Sequence, residues 1–202
     1  MAAIPQHLNY KTMIELLKEW SKPMIFLPFL LLYLFFTFFL FPKYGNQLND
    51  LAGEKVQILD LYPKYTKAQV TELFTKIKAE GREIHRFITS RIDMVYPLIY
   101  GPLLMLLISF FMLKISPKAK SGLFFAFLIP FLLMLTDYAE NSTTLQLLSS
   151  FPDLDDSLVE RGSFLANLKL VLMLLAIGMV IFSALFWILQ YLLEITFNRR
   201  RR

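Results

Sequence analysis

Three carboxylates at the ends of apolar segments are the side chains of this chain best suited to chemistry: Asp93, Asp137 and Glu140. Asp137, Glu140 and Asn141 are spaced i, i+3, i+4, which places all three on one face of a helix. A charge at the edge of a hydrocarbon layer costs a few kcal/mol unless it is paired or faces water. Lys169, near the start of a later apolar segment, is therefore an expected partner. Carboxylates on adjacent helices can share a proton, so the chemistry they offer is proton binding or acid–base catalysis.

A second helical face carries Asp93, Tyr96, Pro97 and Tyr100 at the spacing i, i+3, i+4, i+7. We expect Arg91 and Lys169 to pair with the carboxylates around a small polar site, with the tyrosine hydroxyls at its rim. The predicted polar cluster consists of Arg91, Asp93, Tyr96, Tyr100, Asp137, Glu140, Asn141 and Lys169.

The elements that must position this cluster are four apolar segments, at 24–41, 94–113, 123–135 and 170–189. A bilayer core about 30 Å thick is crossed by a helix of about 20 apolar residues. The sequence therefore predicts an all-α membrane protein, a four-helix transmembrane bundle. We divide its single membrane domain, 1–202, as follows: interfacial helix 1–22, span one 24–41, outer loop and helix 43–92, span two 94–113, span three 121–139, acidic outer loop 140–163, span four 164–195 and basic tail 196–202.

Two amphipathic helices are predicted outside the spans. Residues 10–20 carry Met13, Leu17 and Trp20 on one face, which is typical of a helix lying in the membrane interface. Between spans one and two, 44–65 reads as a loop, and Thr66 with Gln69 then forms a capping-box pattern. The stripe that follows predicts a helical outer cap that packs on the bundle or lies on the lipid surface, with Gly81 as a C-terminal cap or kink; its residues are Val70, Leu73, Phe74 and Ile77.

The charge distribution predicts that both termini are cytoplasmic. The N-terminus, the turn 114–120 and the C-terminus together hold ten basic and three acidic residues, whereas the other side holds eleven basic and thirteen acidic residues. An excess of Lys and Arg near span ends marks the cytoplasmic side. The basic side is expected to contact anionic lipid rather than nucleic acid.

Composition excludes several classes of membrane enzyme. The chain has no cysteine, which rules out thiol–disulfide chemistry, thiolate zinc sites and iron–sulfur ligation. Its two histidines, His7 and His85, lie outside the apolar segments, so haem held between membrane histidines is ruled out as well. No cofactor and no metal site is predicted, because no Ser/His pair and no His/Asp ligand spacing lies at membrane depth.

Three interpretations of the polar cluster remain open. It is a network of ion pairs and hydrogen bonds that fixes helix register, a pocket for a lipid headgroup, small solute or partner segment, or a catalytic site in which carboxylates share a proton. We expect a non-enzymatic accessory or binding protein with a lipid or protein partner at the outer cap. The alternative is a small membrane enzyme or proton-coupled carrier that uses Asp93, Asp137 and Glu140.

Three short motifs carry a resemblance: Arg91-Ile92-Asp93, Tyr96-Pro97-Leu98-Ile99-Tyr100-Gly101 and Asp137-Tyr138-Ala139-Glu140-Asn141. Over roughly residues 60 to 190 the chain resembles a group of uncharacterised bacterial four-span integral membrane proteins. The resemblance implies a fold, a polar cluster and a bacterial inner (plasma) membrane, and it implies no activity.

Overall fold

The computed structural model describes residues 23–115 and 120–200, and most of them are helical. The helices are α1 (Pro23–Phe35), α2 (Phe41–Ala52), α3 (Lys67–Lys76), α4 (Lys78–Phe87), α5 (Asp93–Ile115), α6 (Lys120–Ser150) and α7 (Asp156–Arg200). The π-helical turns Phe36–Leu40 and Ile88–Ile92 join α1 to α2 and α4 to α5. No strand occurs in these two ranges, which confirms the all-α prediction for them. The predicted interfacial helix 1–22 and the last two residues of the basic tail lie outside the described residues.

Four helical segments are long and apolar enough to cross a membrane: Met24–Ala52, Lys78–Ile115, Phe124–Ser150 and Asp156–Thr196. They number 29, 38, 27 and 41 residues; they contain predicted spans one, two and four, and the third overlaps predicted span three from residue 124 onward. At a rise of 1.5 Å per residue the longest extends roughly 60 Å, about twice the thickness of a hydrocarbon layer. The helices are therefore long enough to project beyond the apolar segments that the sequence marks.

Span one continues further than predicted, because the segment 44–52, expected to be a loop, is the helix α2. Pro42 closely follows the π-helical turn Phe36–Leu40, and proline is tolerated within a membrane helix where such local adjustments accommodate the freed backbone groups. Tertiary packing supports the rest of the helix, since Leu48 is fully buried against α4. Gly53 ends α2 with φ +73°, a left-handed conformation that favours glycine.

The predicted acidic outer loop 140–163 is mostly helix, so that prediction is wrong. Helix α6 runs on to Ser150, and α7 begins at Asp156 rather than near 164. Hydroxyl groups within α6 bond to its own backbone, as Thr143 does to the carbonyl of Ala139 at 2.9 Å. The carboxylate of Asp155 accepts a 2.7 Å hydrogen bond from the amide of Ser157 at the start of α7. These helical ends are rich in polar residues, which are also typical of loops, so the sequence pattern did not indicate a helix. In the structure such side chains form hydrogen bonds with nearby backbone groups of the helix.

The helical ends and the segment between spans one and two pack around one apolar core, which we call the head core. The capping box at Thr66 and Gln69 is present as predicted. The predicted apolar stripe is buried as well, three of its residues on α3 and the fourth, Ile77, directly after it. The buried members of the head core are Leu48, Leu59, Tyr65, Val70, Leu73, Phe74, Ile77, Ile88, Ile92, Leu147, Leu148, Leu154, Val159 and Ala166. We use the term head for the part of the chain that surrounds this core, residues 41–92 and 142–166.

Gly81 lies within α4, so its predicted role as a helix cap is wrong. The chain turns three residues earlier, where Lys78 has φ +59°. A Cβ atom at position 81 would lie 2.7 Å from the Cβ of Ile77, so this position requires glycine because of close packing.

A second, smaller apolar core lies among the spans. Helices α5, α6 and α7 pack against one another, and α1 packs against α5. The buried residues of this span core are Tyr100, Leu133 and Leu172, one from each of three spans. Span one contributes aromatic contacts instead, among them Phe26 with Phe110 at a centroid distance of 5.8 Å.

Candidate functional site

A layer of buried polar residues separates the head core from the span core. Along span two, Asp93 lies between Ile92 of the head core and Tyr100 of the span core. Span three carries its acidic residues between Leu133 and Leu147, and span four carries Lys169 between Ala166 and Leu172. We define the polar layer as Asp60, Asp93, Tyr100, Asp137, Glu140, Asn141 and Lys169.

Lys169 is the centre of the polar layer. Its ammonium group forms an ion pair with Asp60, which lies in the 3₁₀ turn Leu59–Leu61 of the head. It also lies 2.5 Å from Oε2 of Glu140 and 3.6 Å from Oδ1 of Asp137. One cation from span four therefore joins a carboxylate of the head to two carboxylates of span three.

Hydrogen bonds extend the layer to span two. The Tyr100 hydroxyl donates to Oδ2 of Asp137 at 2.7 Å, and the Asn141 amide donates to the backbone carbonyl of Asp93 at 3.2 Å. The Asp93 side chain is 5% exposed, and the charges of the other layer residues act on it. The layer thus joins three spans and the head.

The layer contains more negative than positive groups. Four carboxylates, those of Asp60, Asp93, Asp137 and Glu140, surround one ammonium group, so the fully ionised layer has a net charge of −3. Measured over the whole residue, Asp137 and Glu140 are 6% and 1% exposed. A buried charge without compensation costs several kcal/mol. Such a layer requires additional positive charge, from protons or from a cation.

Tyr65 faces the layer from the head. Its backbone amide donates to the Ser163 hydroxyl at 2.9 Å, and its own hydroxyl packs against Gly162. That hydroxyl is buried and has no hydrogen-bond partner among the described residues. Burial raises the pKa of Tyr65 well above its usual value, and the nearby negative charge of Glu140 raises it further. The phenol is therefore neutral at physiological pH.

Three of the carboxylates are also arranged as metal ligands. One oxygen from each of Asp60, Asp137 and Glu140 lies within 4.8 Å of the others. Carboxylate oxygens suit Mg²⁺, Ca²⁺ or Mn²⁺. The ammonium of Lys169 lies close to all three residues and supplies positive charge there.

The structure brings together six of the eight residues of the predicted cluster. The expected pairing of Lys169 with Asp137 and Glu140 is present. Tyr96 lies nearby, but its hydroxyl shares a 3.0 Å hydrogen bond with Thr37 of span one, and its ring stacks on Tyr33. It therefore joins spans one and two rather than forming the rim of the layer.

The predicted pairing of Arg91 with these carboxylates is wrong. Arg91 is exposed and takes part in none of the ion pairs between described residues. It lies two residues before Asp93, and positions i and i+2 point to different sides of a helix.

Sequence reasoning missed Asp60 and Tyr65. Both lie in 53–66, where only one short 3₁₀ turn interrupts irregular backbone, so no helical period fixes their direction. The available signal was a single acid between two leucines, in Leu59-Asp60-Leu61. Leu59 is fully buried in the head core, and its burial places the adjacent Asp60 at the edge of that core.

Comparison with family models, with curated proteins and with solved structures finds no match for this chain. The resemblance to bacterial four-span proteins therefore stays a prediction, and the functional argument depends on the site alone.

Proposed function

We propose that this chain is an integral membrane protein without enzymatic activity, an accessory or binding protein in which the polar layer fastens the head to the spans. The observation that carries the proposal is the contact of one ammonium, that of Lys169, with carboxylates of both parts. The layer lies between two apolar cores, and three of its four carboxylates are at most 6% exposed. A buried network of this kind supports a positioning role rather than contact with a substrate.

The head is the part that we propose to bind a lipid or protein partner. Two of the shallow grooves on the described surface are lined by residues of the head and by none of the polar layer. One of them is lined by hydroxyl, amide and aliphatic side chains, namely Ser142, Leu145, Gln146, Ser149, Ser150 and Leu158. Such groups offer hydrogen bonds and apolar contact without a nucleophile–base pair, which suits binding rather than catalysis.

We further propose that both termini lie in the cytoplasm of a bacterium and that the head, an outer cap, lies on the opposite side of the inner membrane. The excess of basic residues at the ends and at the turn 114–120 supports this orientation and contact with anionic lipids. The chain has no cysteine, so single cysteines can be introduced without background. In intact cells, a membrane-impermeant maleimide should label Asp153→Cys and not Lys118→Cys; the reverse pattern contradicts the orientation.

Replacement of the two span-three carboxylates tests the proposed role. Asp137→Ala and Glu140→Ala should lower the thermal stability of the purified protein, because each leaves a cavity in the buried layer, and the first also removes the acceptor of the Tyr100 hydroxyl. The matched control is Glu160→Ala, which removes an exposed acid from the head. If both layer variants keep wild-type stability and protection of the head from protease, the polar layer does not fasten the head.

The surplus of carboxylates favours one second candidate, a small membrane enzyme or proton-coupled carrier that uses Asp93, Asp137 and Glu140. Four acids beside one lysine require additional positive charge, and protons are a source of it. Proton flux into proteoliposomes under a membrane potential, present in the wild type and absent in a stable Asp93→Asn variant, would favour this candidate.

A further inference from the structure

We propose that Asp60, Asp137 and Glu140 form a binding site for one divalent metal ion of the Mg²⁺, Ca²⁺ and Mn²⁺ class, which enters as the ammonium of Lys169 withdraws. This site goes beyond the fastening role, because it makes the polar layer responsive to a ligand. It joins the head, through Asp60, to span three, through the other two carboxylates.

The ligand geometry is the first support. One oxygen from each of the three side chains lies within 4.8 Å of the other two. An ion at the middle of such a triangle reaches all three with small side-chain movements, since Mg²⁺–oxygen and Ca²⁺–oxygen distances are about 2.0 to 2.6 Å. Oxygen ligands without histidine or cysteine favour these hard cations over zinc or copper.

The charge of the layer is the second support. With Lys169 in place, the ionised layer has a net charge of −3, and Asp93 remains without an ion pair among those found between described residues. When a divalent ion replaces the ammonium, the net charge of the layer becomes −2, one unit less negative than with Lys169. Because Glu140 is 1% exposed, its charge is poorly compensated by solvent, which increases its attraction for a cation.

Two buried polar atoms that face the layer are the third support. Oε1 of Glu140 has no hydrogen-bond partner among the described residues, and neither has the hydroxyl of Tyr65. Buried polar groups are nearly always satisfied by protein, water or an ion. Tyr65 is not one of the three ligands, so it is an independent indication that a group is bound beside it. The water molecules that Mg²⁺ and Ca²⁺ commonly retain as ligands would offer hydrogen bonds to such atoms.

Lys169 is the internal competitor of the ion. Its ammonium is a point charge on a flexible four-carbon stem, and 12% of its side-chain surface is in contact with solvent. Removal of this positive charge should strengthen metal binding, whereas removal of a ligand should weaken it. Any acidic region would respond with the same signs, so the comparison with an exposed acid of the head, Glu160, is what distinguishes a built site from general attraction.

Titration with Mn²⁺ tests the site, because the electron paramagnetic resonance signal of free Mn²⁺ reports the bound fraction. We expect the metal-free wild type in nanodiscs to bind one Mn²⁺ per chain. Asp60→Asn and Glu140→Gln should weaken binding by at least roughly tenfold, and Lys169→Met should strengthen it by a similar factor. Glu160→Gln, which changes an exposed acid of the head, should bind like the wild type.

Added Mn²⁺ should also raise the melting temperature of Lys169→Met more than that of the wild type, since binding to the folded state stabilises it. This second readout and the Asp60→Asn variant keep the test decisive if Glu140→Gln does not fold. The proposal is wrong if neither the wild type nor Lys169→Met binds a stoichiometric ion, or if Glu160→Gln weakens binding as much as Asp60→Asn does. Should binding be absent while loss of Lys169 still destabilises the protein, the metal site fails and the fastening role stands.

Discussion

Replacement of Lys169 by methionine should be among the most destabilising changes in this protein. Methionine keeps most of the side-chain volume and removes the charge. The lysine side chain is 12% exposed, and its partners Asp60, Asp137 and Glu140 are 29%, 8% and 1% exposed. Removing one partner of a buried ion pair costs about 3–5 kcal/mol, because the other charge is left buried without compensation. Solvent relieves part of this cost only at Asp60, so we expect a value within that range.

The melting temperature reports this loss directly. For a domain of about 200 residues, 1 kcal/mol corresponds to roughly 2–4 °C, so Lys169→Met should melt about 10 °C below the wild type. Helical circular dichroism in detergent with a chelator is a suitable assay, because the chelator removes any stabilisation by metal ions. The control is Arg91→Met, which removes an exposed cation near the same layer and should stay within about 0.5 kcal/mol of the wild type. Equal melting temperatures for the two variants would refute the account of the polar layer.

Three further changes test other parts of the fold. Gly162→Ala should cost about 1–3 kcal/mol in thermal melts, because its new methyl group meets the Tyr65 hydroxyl, and Tyr65→Phe should restore most of the loss. Phe74→Ala should lower the free energy of unfolding by about 3–5 kcal/mol, since this ring is fully buried in the head core. Hydrogen exchange should then increase in the head while the spans stay protected. An equal increase in the head and the spans would contradict a separate head core. Hydrogen bonds from the start of α7 hold the pKa of Asp155 below its usual range, so its contribution is present at neutral pH and is lost as the pH falls through that lowered pKa. The Ser157 amide should therefore lose protection at low pH, and in Asp155→Ala at every pH; unchanged protection in that variant would contradict the cap.

The sequence predicted the spans and two of the three ion pairs of Lys169, because both follow from helical geometry. Apolar length identifies the spans, and the spacing of Asp137 and Glu140 places them on one face whatever the rest of the fold. Their pairing with Lys169 then follows from the cost of isolated charge at that depth.

The remaining features depend on tertiary packing that no local pattern reveals. The segment 53–66 has no helical period, so the direction of Asp60 is set by the burial of Leu59 in the head core. The helical extensions to Ala52 and Ser150 were not predicted because they are rich in polar side chains. These side chains form hydrogen bonds within their helices or face outward from the head. Arg91 was predicted as a partner from its distance along the chain, although its direction on the helix differs from that of Asp93.

A double-mutant cycle between Asp60 and Lys169 measures whether the polar layer fastens the head to the spans, because these two residues join the head to span four. The four proteins are the wild type, Asp60→Asn, Lys169→Met and the double variant, all compared by free energy of unfolding in the same detergent with a chelator. The account predicts that the double variant is less destabilised than the sum of the single variants, with a coupling of at least about 1 kcal/mol. Additive losses would show that the two side chains do not interact, and the polar layer would then not fasten the head to the spans.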